Sequence, residues 1–204
     1  KKIGVAVADH PAGPFYDSGL PMIDRLPDEV AGGQIIDGDV FTDPVSGKSY
    51  FYWGNGFMAV SELADDMQHI MTGITSVITP PGGTLSTYAY REGAYVFYRD
   101  GVYYFLWSVD DTGSPNYHVA YGTSASPVGP IRVAEEPIVI IRETDSLIFG
   151  TGHNSVLQIP GRDEWYIVYH RINKDYLQNG PGYHREVCID RLHFNDDGSI
   201  QQII

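Results

Sequence analysis

Three residues able to donate, accept or ligate stand at matching places in this chain. Asp37, Glu92 and His153 each lie about a dozen residues ahead of an aromatic run: Tyr50-Phe51-Tyr52-Trp53, Tyr103-Tyr104-Phe105-Leu106-Trp107 and Trp165-Tyr166-Ile167-Val168-Tyr169. Paired carboxyls can give a proton and stabilise a charge, and an imidazole can do either or bind a metal. Joint chemistry therefore needs a fold that returns three distant segments to one centre. The aromatic runs recur at steps of about 50–60 residues, the range in which repeated sheets build the blades of a propeller. In such an array the equivalent position of every blade faces a shared axis.

The elements needed for that are legible in the composition. Aromatic residues make up 13% of the chain, 15 of them tyrosines, and they cluster in short runs beside Gly and Asp, as strands and turns do. The 43% apolar and 19% charged shares are those of a globular chain, and 204 residues read as one domain, 1–204. A formal charge of −13 argues against nucleic acid and against an anionic membrane, both of which need clustered Lys and Arg. A neutral, sugar-like ligand fits better. Cys188 has no partner for an intrachain disulfide, and Val187-Cys188-Ile189 reads as a small buried apolar position. The sequence does not assign a compartment.

Pro11-Ala12-Gly13-Pro14-Phe15 returns as Pro127-Val128-Gly129-Pro130-Ile131, each after an alternating apolar segment. Residues 1–9 then match the third strand of a blade whose first two strands are absent. Three blades follow. The first uses 39–41, 49–53, 57–63 and a segment near His69; the second uses 94–98, 102–108, 117–121 and 131–134. The last uses 154–158, 164–170, 186–192 and 200–204. Residues 67–87 lack a clear period and are expected to form loop and a short strand. The expected fold is all-β: about three complete blades plus one strand, a partial propeller whose open edges favour a homo-oligomer.

The motifs around the three polar residues resemble glycoside hydrolase family 43. Ile36-Asp37-Gly38-Asp39-Val40-Phe41 with the following aromatic strand resembles the family's second-aspartate motif, and Glu92-Gly93-Ala94-Tyr95 its general-acid motif. Gly152-His153-Asn154-Ser155 resembles its histidine motif, and Arg185-Glu186-Val187-Cys188-Ile189-Asp190 with Asp197-Gly198 the closing one. The resemblance implies a five-bladed propeller and inverting hydrolysis of arabinose- or xylose-containing glycans. It places the general acid at Glu92 and the residue that modulates it at Asp37. The family's base belongs to an opening blade absent here, and Asp9-His10-Pro11 precedes a turn that ends an outer strand.

Each residue also has a plainer reading. Glu92 could pair with Arg91, and Asp37 could cap a turn with Gly38. Tyr90, Trp53, His153, Arg185 and Arg171 are the candidate sugar contacts, although strand tryptophans are usually core and Arg171 suits a surface ion pair. No cofactor is required; His153 is the one candidate for a structural calcium. The rival to a glycosidase is a propeller that holds oligosaccharide without cleaving it.

Overall fold

The computed structural model describes residues 1–141, 148–173, 175 and 184–204, which form thirteen strands and no α-helix. β1 (Ile3–Val7) and β2 (Tyr16–Ile23) make a separate antiparallel pair. β3 (Asp39–Thr42), β4 (Ser49–Trp53), β5 (Ala59–Leu63) and β6 (Ile70–Val77) form a four-stranded antiparallel meander. A second meander runs through β7 (Glu92–Arg99), β8 (Val102–Val109), β9 (His118–Ser124) and β10 (Arg132–Ile138), and a third through β11 (Phe149–Gln158), β12 (Trp165–Ile172) and β13 (Arg185–Leu192). One parallel pair, Thr151 with His118, joins the last two into a continuous seven-stranded sheet.

Local chemistry explains these elements. At the β7–β8 hairpin Asp100 and Gly101 have φ of 49° and 86°, the double positive φ that matches strand twist in a two-residue turn. The β3–β4 loop is held by Asp43, whose carboxylate accepts the N–H groups of Val45 and Ser46. Gly13 and Gly129 sit at φ 81° and 76° after β1 and β9, so the repeated Pro-Gly-Pro turn marks the same corner twice.

Three details go beyond or depart from the sequence reading. β2 was not anticipated, because it contains Gly19 and Pro21; as an edge strand paired only to β1 it tolerates both. β6 is eight residues long where loop and short strand were expected, its alternation hidden by Gly73 at φ 78°. Residues 200–204 add no fourth strand to the last meander. They make isolated bridges, Ile200 to Phe194 and Ile203 to Ile140, that tie the chain's end back to the segment after β10.

Three apolar clusters fill the gaps between successive sheets. Ile23, Phe51, Trp53 and Phe57 pack between the β1–β2 pair and the first meander. Tyr103, Phe105 and Trp107 of β8 meet Tyr52, Met58 and Val60, while Tyr104 and Leu106 on its other face meet Trp165, Ile167 and Tyr169. β8 is thus covered on both sides, which is why its sequence is continuously apolar rather than alternating. The phenols then cross the gaps to find acceptors, as buried tyrosine hydroxyls must. Tyr52 Oη donates to Pro127 O at 2.6 Å, Tyr103 Oη to Asp43 Oδ1 at 2.9 Å, Tyr95 Oη to Val156 O at 2.7 Å and Tyr104 Oη to Gly198 O at 2.7 Å.

Removing one such hydroxyl deletes a hydrogen bond between sheets. Tyr103→Phe and Tyr104→Phe should each cost about 1 kcal/mol, a fall in Tm of roughly 2–4 °C in a chain of this size, whereas exposed Tyr16→Phe should leave Tm unchanged. Thermal denaturation of the three variants checks this.

Candidate active site

Asp37 lies two residues before β3, Glu92 opens β7 and His153 stands within β11. At each station the backbone turns left-handed: φ is 56° at Asp37, 64° at Gly93 and 50° at His153. The pairing register slips between Glu92 and Tyr95 and between Gly152 and Ser155, so β7 and β11 bulge at these points. A bulge re-aims the side chain beside it, and here it turns Glu92 and His153 toward Asp37. One ligand atom from each of the three lies within 4.8 Å of the others, with Asp37 and Glu92 half-buried and His153 exposed.

Both Glu92 oxygens are engaged. Oε2 accepts from Asn55 Nδ2 at 2.5 Å and Oε1 from Tyr117 Oη at 2.9 Å. The side chain is therefore held by groups from two different sheets, and Arg91 reaches Asp111 instead, at 3.4 Å. Tyr90 lines the site: its hydroxyl donates to Gly54 O at 2.8 Å, and burial first, then the charges of Asp37 and Glu92, push its ionisation far above the usual range. Glycines let these parts approach, since a Cβ on Gly93 would sit 3.3 Å from both His153 Nδ1 and Ser108 Oγ, and one on Gly152 would collide with the Tyr117 ring.

Burial governs the electrostatics. The Asp37 carboxyl is pushed above its ordinary value, mainly by desolvation; His153 opposes that and the Glu92 charge adds to it. Asp39, half-buried at the start of β3, is pushed up to about 6 by desolvation. His170, stacked on Tyr117 with ring centroids 5.6 Å apart, is pushed down to about 4 by desolvation, with Arg185 and His153 contributing. Its Nε2, Thr151 Oγ1 and both polar atoms of Asn154 are buried without a hydrogen-bond partner.

Calcium takes six to eight oxygen ligands. The trio supplies two carboxylates and one ring nitrogen, with both Glu92 oxygens already bonded, so direct calcium ligation by these residues does not fit.

Other expected contacts divide. Trp53 is 2% exposed, its indole N–H donating to Ser61 Oγ at 3.2 Å; it belongs to the core, because β4 is covered on both faces. Arg171 is bound across the strand pair to Glu186 at 2.5 Å and is not turned to the trio, the face of β12 that carries it being the one packed on the preceding sheet. Arg185 is exposed, donates to Thr112 Oγ1 at 2.5 Å and lies near enough to influence His170. Cys188 is half-buried against the last core cluster rather than fully enclosed.

Sequence reasoning missed Asn55, Ser108, Tyr117 and His170. For three of them a signal existed: each aromatic run ends in a polar residue, as Trp53-Gly54-Asn55, Trp107-Ser108 and Tyr169-His170, and β-pairing sets Ser108 opposite Glu92 and His170 opposite Gly152. Two rim cavities of about 420 and 460 Å³, one beside Arg25 and Met71 and the other beside Glu135 and Asp197, are not lined by the trio. The converging acid, amide and hydroxyl groups mark the site better than cavity volume does.

The profile for Glycosyl hydrolases family 43 matches residues 1–200. Beta-D-galactofuranosidase xynD of Aspergillus niger is 38% identical over 202 residues, covering 97% of this chain and 54% of the relative. A thermostable family-43 glycoside hydrolase superposes with a TM-score of 0.81 at 29% identity, covering 98% of this chain and 65% of its own. An arabinoxylan arabinofuranohydrolase from Bacillus subtilis, solved with cellotetraose, gives 0.75 at 26% identity over 98% of this chain and 44% of that one. The chain thus spans about half the length of the Aspergillus relative.

Two sets of outcomes follow from the geometry. Asp37→Gly and His153→Gly remove left-handed strain and should each raise Tm by roughly 2–4 °C, the shift expected for about 1 kcal/mol. The pH series is opposed by design of the site. Unfolded His takes a proton below its ordinary value of 6.5 while folded His170 resists until about 4, so its contribution is lost as pH falls through that window. Asp39 works the other way, since it binds its proton at about 6 when folded and at 3.8 when unfolded, and its contribution is lost as pH rises through about 6. Asp39→Asn should therefore steepen the fall of Tm between pH 6.5 and 4, and His170→Phe should flatten or reverse it; Tm measured across pH for both variants decides.

Proposed function

The chain belongs to glycosyl hydrolase family 43, and on that premise we propose that it acts on arabinose- or xylose-containing glycans through Glu92 as proton donor, with Asp37 modulating it. The observation that carries this reading is the convergence of Asp37, Glu92 and His153 within 4.8 Å from three successive sheets. Glu92 gives its proton to the leaving oxygen. Asp37 places negative charge beside it and orients the pair, while exposed His153 and Arg185 present donors to sugar hydroxyls and half-buried Tyr90, whose hydrogen goes to Gly54 O, offers its ring and phenol oxygen.

Inversion needs carboxyls about 6.5–9.5 Å apart so that water fits between base and sugar. Asp37 and Glu92 are closer than that, which supports assigning the general base to neither of them and to residues outside this chain. The family relatives include a galactofuranosidase, so aryl β-D-galactofuranosides belong beside aryl arabinofuranosides and xylosides as trial substrates. No reaction step here calls on a metal.

The open faces support association between copies. Val187 and Ile189 on β13 are 74% and 64% exposed, and Phe15 and Leu20 beside β1 and within β2 are 61% and 73% exposed. Such apolar side chains on uncovered sheets favour pairing.

Glu92→Gln should lower kcat by about 10²-fold or more on aryl glycosides with poor leaving groups and much less on activated ones. Equal rates for variant and unaltered protein on both kinds of substrate would remove Glu92 from the mechanism. Proton NMR of the first-formed anomer should show inversion; retention would make Asp37 a nucleophile. Binding of arabinoxylan oligosaccharide without turnover would favour the non-cleaving propeller. Sedimentation velocity should show dimers or larger species at micromolar concentration, and a monomer throughout would rule out association through these faces.

A further inference from the structure

The backbone leading into each carboxyl of the trio is tied to one short turn. Gly54-Asn55-Gly56 follows β4 and is hydrogen-bonded on two sides. Toward Asp37, Gln34 and Asn55 exchange backbone bonds at 3.0 and 2.9 Å, and the Gly54 N–H donates to Ile36 O at 3.0 Å. Toward Glu92, the Gly56 N–H donates to Arg91 O at 2.8 Å, and Gly54 O accepts the Tyr90 hydroxyl at 2.8 Å. The turn thus grips the residue before each carboxyl, Ile36 in one case and Arg91 in the other. Asn55 itself is 5% exposed, and its amide donates to Glu92 Oε2 at 2.5 Å. Close packing keeps the turn in place: a Cβ on Gly33 would collide with Asn55 O, and one on Gly54, at φ 119°, with Phe57 O.

We propose that Asn55 is a positioning residue for Glu92, and that the turn carrying it is the bracket that sets the two carboxyls at their mutual distance and angle. This rests on the reading of Glu92 as proton donor. The amide holds one carboxyl oxygen while the Tyr117 hydroxyl holds the other at 2.9 Å, so rotation of the carboxyl is stopped from both sides. Asn55 Nδ2 offers hydrogens and cannot accept one. It therefore serves best the carboxylate that remains once the proton has gone to the leaving oxygen, since a hydrogen bond to an ionised acceptor is the stronger kind. Such a contact gains strength as the reaction proceeds and contributes little to holding substrate. A residue that only filled the same space would leave Glu92 free to turn.

Asn55→Ala deletes the amide and keeps the backbone bonds of the turn. It should lower kcat by about tenfold or more with KM changed less than about twofold, most severely for aryl glycosides with poor leaving groups, since a misplaced reacting group costs rate rather than binding. Asn55→Asp keeps the shape but sets an acceptor against an acceptor, and should be at least as slow. Damage to the fold alone would cut all substrates equally. A readout independent of turnover is the carboxyl ¹³C resonance of Glu92 in glutamate-labelled protein, identified by its loss in Glu92→Gln. It should move in Asn55→Ala and stay put in exposed Tyr16→Phe; where no substrate is turned over, this resonance alone decides. An unmoved Glu92 signal in Asn55→Ala overturns the proposal, and so does an unaltered kcat in both Asn55 variants or a loss equal on every leaving group. A moved signal together with a Glu92→Gln protein that cleaves all aryl glycosides at the unaltered rate leaves the Asn55 contact standing and defeats the glycosidase reading instead.

Discussion

The architecture turns on a backbone constraint at the axis. At the inner end of three successive sheets the chain must adopt a left-handed conformation, and only one of those stations, Gly93, is occupied by the residue that does so freely. Asp37 and His153 hold positive φ with side chains attached, at a cost of about 1–2 kcal/mol each. What the strain achieves is aim. In a regular strand successive side chains alternate across the sheet, whereas a left-handed residue in a bulge swings its neighbourhood out of that alternation and along the strand's end, toward the axis.

The cost is carried by the gaps between sheets. Each gap is filled with aromatic rings, and the two gaps on either side of the second meander also contain tyrosine hydroxyls that reach across to a partner on the next sheet. Dispersion between rings would tolerate sliding of one sheet on another; a phenol donating to a single carbonyl does not. The hydroxyl contacts therefore fix the rotation of each sheet relative to its neighbour, and that rotation decides whether residues 37, 92 and 153 meet. A chain with phenylalanine throughout these positions would bury as much apolar surface and specify the axis less sharply.

The sequence made the repeat and the axial trio legible because both are periodic: polar residue, bulge, aromatic strand, turn. Thus Arg99-Asp100-Gly101 read correctly as a hairpin turn from local chemistry. β2 and β6 did not, since edge strands with Gly19, Pro21 and Gly73 carry no alternation to detect. For Trp53 and Arg171 the plainer of the two readings is the one seen, core and ion pair: composition tells that a residue could stack on or bind a sugar, but which face of its strand is covered depends on the neighbouring sheet. Tyr117 was hidden more deeply. It lies just before β9, and its link to Glu92 exists only because Gly152, from a later sheet, leaves space for its ring.

Several unfavourable features gather at the same end of the molecule. Two residues there hold strained backbone, Asp37 and Asp39 resist ionisation, His170 resists protonation, and Thr151, Asn154 and His170 bury polar atoms without partners. A core built only for stability would have replaced these groups with apolar ones. Their concentration around one carboxyl, in a protein whose other gaps are packed with satisfied tyrosines, is what a site for charge handling requires: groups that cannot relax on their own and so respond to a ligand. The two opposed titrations of Asp39 and His170 add a further consequence. Because acidification strengthens one contribution while it weakens the other, the two titrations partly offset each other at the sheet ends that carry the site.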